Sequence, residues 1–216
     1  MLLAGILAGC LFAALVAGDW WRFSRPTVPA GRYGCPVARA EDILPVASEE
    51  AWTARFHPDD RLTLDHGIAR WFPDKQCILL FPQSSRSSPR FRTTAWPLKG
   101  VIEVDEAGGR VRLRCVKLMP WSAAALTLLW FAIVGVGTLA FVVRFLTGGD
   151  AFSLGSLLLV LGVTGVGLLV LMFGLVTVSL AYRLEDQRLM QAYGELRAVL
   201  VGGDAPDQLD MKSDRK

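Results

Sequence analysis

Asparagine is absent from the 216 residues, histidine occurs twice, cysteine four times, and only 20% of positions are charged. A soluble domain of this size carries about a quarter charged residues. Four cysteines without CxxC spacing make neither a disulfide scaffold nor a zinc ribbon. The sequence also lacks GxSxG, SxxK, Walker A and HExxH patterns. The familiar hydrolase, nucleotide-binding and metalloprotease signatures are therefore missing. Gly135-Val-Gly137-Thr-Leu-Ala140 fits GxGxxA, but it lies inside an apolar run with no preceding strand, so it does not make a dinucleotide site. No cofactor is expected.

What the chain has instead is long stretches without charge. Residues 1–18, 122–143 and 151–182 contain no Asp, Glu, Lys or Arg, and mean hydropathy is +0.39. A helix rises 1.5 Å per residue, so about 20 apolar residues cross a bilayer core. The reading is an α+β membrane protein with three transmembrane helices, one N-terminal and two forming a C-terminal hairpin. A mostly β domain lies between the first helix and the second. The expected boundaries are helix 1–18, domain 19–121, helix 122–146, helix 151–182, amphipathic helix 183–202 and a disordered tail 203–216.

The first run has two alternatives to a retained helix. Val16-Ala17-Gly18 passes as a signal-peptide cleavage site, and Leu7-Ala8-Gly9-Cys10 resembles a lipobox with Cys10 as the lipidated residue. No basic n-region precedes the run, and the chain stays apolar past Cys10 to Val16, which favours retention.

Cations set the orientation. Arg22, Arg25 and Arg32 follow the first run; Arg110, Arg112, Arg114 and Lys117 precede the second; Arg183, Arg188 and Arg197 follow the third. Only Arg144 lies in the hairpin connection. This predicts the N-terminus outside, with domain and C-terminus cytoplasmic. Trp20, Trp21, Trp121 and Tyr182 then share one interface, as aromatic belts do. Eighteen Arg against five Lys, with no Asn, suggests a GC-rich bacterial genome and thus a bacterial inner membrane.

Ten of the eleven prolines lie between Pro26 and Pro120, which disfavours long helices there. Val101–Asp105 and Arg110–Lys117 alternate about Glu106-Ala-Gly-Gly109 and predict a hairpin. Val111, Leu113 and Cys115 form one face; Arg110, Arg112 and Arg114 form the other, a candidate contact for anionic lipid. Asp60–Leu64, Gly67–Phe72 and Gln76–Phe81 are further strand candidates, and Glu41–Arg55 is expected to hold a short helix. A second basic loop lies at Ser84–Arg92. Nucleic acid is not an expected partner, because no basic helix or aromatic stacking module accompanies the charge.

Two helical faces offer packing surfaces. Gly155/Gly162 and Gly167/Gly174 are each seven apart, which suits helix contact inside the chain or a homo-oligomer through 155–174. Leu189, Tyr193, Leu196 and Leu200 form one stripe from 189 to 200 for the domain, a second copy or a protein partner. The third helix is expected to continue from Phe152 past Leu200.

His57, Asp59, Asp60, Asp65 and His66 fall within ten residues and are a weak alternative metal or catalytic site, without a helical ligand spacing. A thiol nucleophile would need a paired base, and Cys77 and Cys115 sit in apolar strand patterns. No acid, base or histidine lies within the spans to mark an ion path. The leading expectation is thus a non-enzymatic membrane protein that positions a domain as a scaffold, sensor or accessory subunit. The alternatives are a membrane enzyme with a site at 57–66, or a subunit of an envelope or transport complex with a periplasmic domain.

Overall fold

The computed structural model describes residues 2–27, 31–44, 53–56, 60–82, 95–107, 110–147 and 154–201. Among the described residues, three helices are long and apolar enough to cross a membrane: α1 (Leu2–Ser24), α2 (Trp121–Thr147) and α3 (Leu154–Val201). Six strands of the described residues form one antiparallel sheet: β1 (Cys35–Leu44), β2 (Arg61–Thr63), β3 (Gly67–Phe72), β4 (Cys77–Pro82), β5 (Lys99–Ala107) and β6 (Arg110–Met119). The order is β1-β6-β5-β4-β3-β2, a meander from β2 to β6 with β1 added beside β6.

The chain divides into two compact units. One holds residues 1–121 and 184–216; the other is the hairpin 122–183. The last turns of α3, from residue 184, fall in the unit that holds the sheet.

In the first unit the sheet buries both faces. Register places Ala69, Trp71, Ile78, Leu80, Ile102, Val104, Leu113 and Cys115 on one face. Leu189, Ala192, Tyr193, Leu196 and Leu200 of α3 are buried with them. The approach is close. A Cβ added at Gly67 would stand 2.9 Å from Ala192 Cβ, and one at Gly100 would stand 3.4 Å from Leu189 Cδ1. Two helix-to-sheet ion pairs flank this contact: Lys117 with Asp186, and Arg197 Nε with Asp42 Oδ2 at 3.3 Å.

The opposite face takes the end of α1. Phe23 packs with Leu79, Val101 and Leu118, with Tyr33, Phe72, Phe81 and Val116 around them. Gly34 lets the chain enter β1 at φ +141°; a Cβ there would lie 2.8 Å from the Met119 carbonyl oxygen. Only glycine adopts that backbone without strain.

In the second unit α2 and α3 pack through small residues. A Cβ at Gly167 would meet Thr138 Oγ1 at 2.5 Å, and one at Gly174 would overlap the Trp130 ring. Gly155 and Gly162 face open space. Of the two glycine pairs, Gly167/Gly174 makes the contact inside the chain. Thr127, Thr138 and Thr177 donate to carbonyls four residues back, which satisfies their hydroxyls within the helix.

The strand reading needs one correction. Glu41–Leu44 end β1 rather than begin a helix, residues 45–52 lie outside the described residues, and Thr53–Phe56 turns helically. Each residue from Ala38 to Leu44 pairs with β6 from Lys117 to Val111. This sheet pairing, which local pattern does not reveal, overrides the weak helix preference.

Candidate functional site

Of the titratable residues that the sequence singles out at 57–66, Asp60, Asp65 and His66 are described. His57 and Asp59 lie outside the described residues, as does the loop 84–92. Asp60 adopts φ 52° and its carbonyl accepts from Trp71 N–H at 2.8 Å, an arrangement that closes the turn into β2. Asp65 is exposed. His66 is held by Glu195 of α3: Nδ1 pairs with Oε1, and the His66 backbone N–H donates to Oε2 at 3.1 Å. That carboxylate ties the β2–β3 turn to the helix. Among the described residues no three His, Cys, Asp or Glu gather as metal ligands.

The thiols are placed for packing. Cys115 lies on the α3-covered face and Cys77 on the α1-covered face, with β5 between their strands. Burial raises the Cys77 thiol pKa and pushes that of Cys115 up to about 11, away from thiolate chemistry. Two cysteines on opposite faces cannot bridge without refolding the sheet. Cys10 is exposed on α1.

Arg112 and Arg114 of β6 share the sheet face that Phe23 of α1 covers, each opposite an acid. Register sets Arg110, Arg112 and Arg114 against Ala107, Asp105 and Glu103 of β5, and sets Arg114 against Glu41 of β1. Arg114 Nε donates to Glu41 Oε1 at 2.9 Å, while Glu103 pairs with Arg32 at 3.3 Å. Arg112 is exposed. The row is thus interleaved with carboxylates that offset its field.

A polar cluster that sequence reasoning missed joins α1 to the sheet. Lys99 of β5 is fully buried; its Nζ donates to the Phe23 carbonyl at 3.2 Å and stands 4.2 Å from the Phe23 ring centre. Burial pulls its pKa down to about 8, against the opposing field of Asp19. Tyr33 hydroxyl donates to Asp19 Oδ1, and that bond, with burial, raises the Tyr33 pKa. Arg22 stacks over the Tyr33 ring at 4.6 Å. The signal was visible: Lys99 immediately precedes the apolar Gly100-Val101-Ile102, and Asp19 is the first charge after residues 1–18.

Beside this cluster a shallow cleft lined by Gly31, Arg32, Phe72, Lys75, Cys77, Leu79 and Val101 opens to solvent and encloses about 10 Å³, room for about one water. Among the described residues Lys99, His66, Lys117 and Asp42 each tie the sheet or its turns to α1 or α3. No protein family, curated protein or solved structure matches this chain.

Proposed function

We propose that this is a non-enzymatic integral membrane protein that holds a small sheet domain at the membrane surface as a scaffold or accessory subunit. One observation carries the reading. α1 and α3 are both long apolar helices, and each continues unbroken into residues buried on opposite faces of the same sheet. Phe23 closes one face and Leu189–Leu200 close the other, so the core of the domain is completed by its own anchors. A domain built this way cannot leave the membrane without losing its core.

The charge pattern supports a bacterial inner membrane with the domain on the cytoplasmic side. Each cation near an anionic leaflet contributes about 1 kcal/mol. The carboxylates of Glu41, Glu103 and Asp105 subtract from that gain at the Arg112–Arg114 row. Apolar helices, which bury some 20 residues each in lipid, outweigh it by a wide margin. Positioning is the work of the helices, with lipid contact at Arg110, Arg112 and Arg114 a minor contribution.

Alkaline carbonate extraction of membranes from expressing cells tests this. The chain stays in the pellet, and it stays there when Arg112 and Arg114 are both replaced by Ser. Release of the unaltered chain would overturn the reading, and release of the double variant alone would make the arginines the anchor.

A further inference from the structure

The sheet ends at β1, a ten-residue edge strand, whereas its other edge, β2, has three residues. Among the described residues no backbone hydrogen bond joins the outer side of β1 to another element. Long free edges invite pairing with another chain unless they are blunted. Here Pro36 and a bulge at Val37 blunt only the first residues, and Ala38–Leu44 is regular.

The side chains of that regular stretch are self-complementary. Antiparallel partners must face each other with matching side-chain parity, so a two-fold contact of β1 with itself is centred on a residue, not between two. Centring on Arg39, Glu41 or Asp42 sets like charges directly opposite. Centring on Ala40 sets Arg39 against Glu41 of the second copy, twice by symmetry, and Ala38 against Asp42. It also brings Ile43 alongside Val37 of the second copy at the bulge. Ile43 and Val37 are 54% and 41% exposed, and they are the exposed large apolar side chains of the sheet among the described residues. Arg39 is exposed with no ion-pair partner among the described residues. Glu41 leans on Arg114 but remains about half exposed, so it can serve both arginines.

We infer that β1 is the contact surface of a homodimer, in which two copies pair antiparallel about Ala40 and merge their sheets. The interface is isologous, as two-fold dimers require. Opposite charges face each other in this register alone, so the pattern selects a second copy rather than an arbitrary extended peptide.

The test uses the full chain in detergent or nanodiscs. In a chain whose four cysteines are replaced, Ala40→Cys meets its own counterpart at roughly 4.5–5.5 Å between Cβ atoms and forms a disulfide-linked dimer under mild oxidation. Ala38→Cys stands roughly 13 Å from its counterpart and does not. In the native background, Arg39→Glu raises the dimer dissociation constant roughly tenfold to a hundredfold by sedimentation or mass photometry. Arg39→Glu with Glu41→Arg restores it. Failure of Ala40→Cys to cross-link overturns the proposal, as does a double variant no tighter than the single one. A monomer carrying a different protein along β1 overturns it too and assigns the edge to that chain.

Discussion

Lys99 donates to the backbone carbonyl of Phe23 while its ammonium stands over the Phe23 ring, so one residue of α1 holds one lysine of β5 in two ways. The contact fastens the first apolar helix to the sheet.

That fastening carries a pH signature. In the unfolded chain Lys99 keeps its ordinary pKa of 10.5; in the fold burial lowers it to about 8. Between these values the unfolded chain binds more protons, so stability rises with pH. The burial cost is fully present below about pH 8 and is relieved towards pH 10.5. At pH 7 the net cost, burial less the contacts that the ammonium keeps, amounts to about 3 kcal/mol. Lys99→Met therefore raises the thermal midpoint at pH 7, and its advantage over the native chain shrinks as pH approaches 10.5. Paired melts across pH 7–10.5 check this. A constant difference would place the lysine in a wetter site.

Leu189 and Leu196 are fully buried where α3 lies on the sheet. Replacing either by Ala removes apolar contact and leaves a cavity, at a cost of about 2–5 kcal/mol. Amide exchange at β4 and β5 should then accelerate, while exchange in 125–143 stays unchanged. Acceleration confined to α3 would mean that the sheet holds its core without the helix.

At Gly67 an added methyl would meet both the Phe81 carbonyl oxygen at 2.8 Å and Ala192 Cβ at 2.9 Å. One of those neighbours is backbone, so it cannot swing aside. Gly67→Ala should cost about 1–3 kcal/mol and make residues 185–200 more sensitive to limited proteolysis. An unaffected digestion pattern would show that the helix does not press on β3.

The hairpin offers an internal control. Gly167→Val with Gly174→Val drives side chains into Thr138 and Trp130, whereas Gly155→Val with Gly162→Val points into open space. The first pair should weaken α2–α3 association, read as lost cross-linking between cysteines placed on the two helices; the second pair should not. Equal effects would reject the contact.

Several elements were legible because local pattern and environment agree. Charge-free runs announced α1, α2 and most of α3. Alternation in Val111, Leu113 and Cys115 matches their burial on β6, and Gly67–Phe72 is a strand over the bounds read from sequence. The stripe Leu189–Leu200 was visible as a face, but its partner was not, since contact across more than 60 residues leaves no local trace. β1 was missed for a related reason. Cys-Pro-Val-Ala-Arg-Ala-Glu-Asp-Ile-Leu alternates poorly because an edge strand mixes solvent and core, and its partner β6 lies some 70 residues away. Sites were less legible still. His66 and Asp65 are close in sequence, yet His66 finds its partner on a helix 129 residues on.

The central claim is that two apolar helices hold this sheet on the cytoplasmic side of a membrane. Asp74 lies exposed in the turn between β3 and β4, so Asp74→Cys, in a chain whose own cysteines are replaced, reports which side the sheet occupies. Bacterial cells expressing it are treated with a membrane-impermeant maleimide before and after permeabilisation. The account predicts labelling only after permeabilisation. Labelling in intact cells would contradict it, placing the sheet outside and reversing the orientation drawn from the arginines.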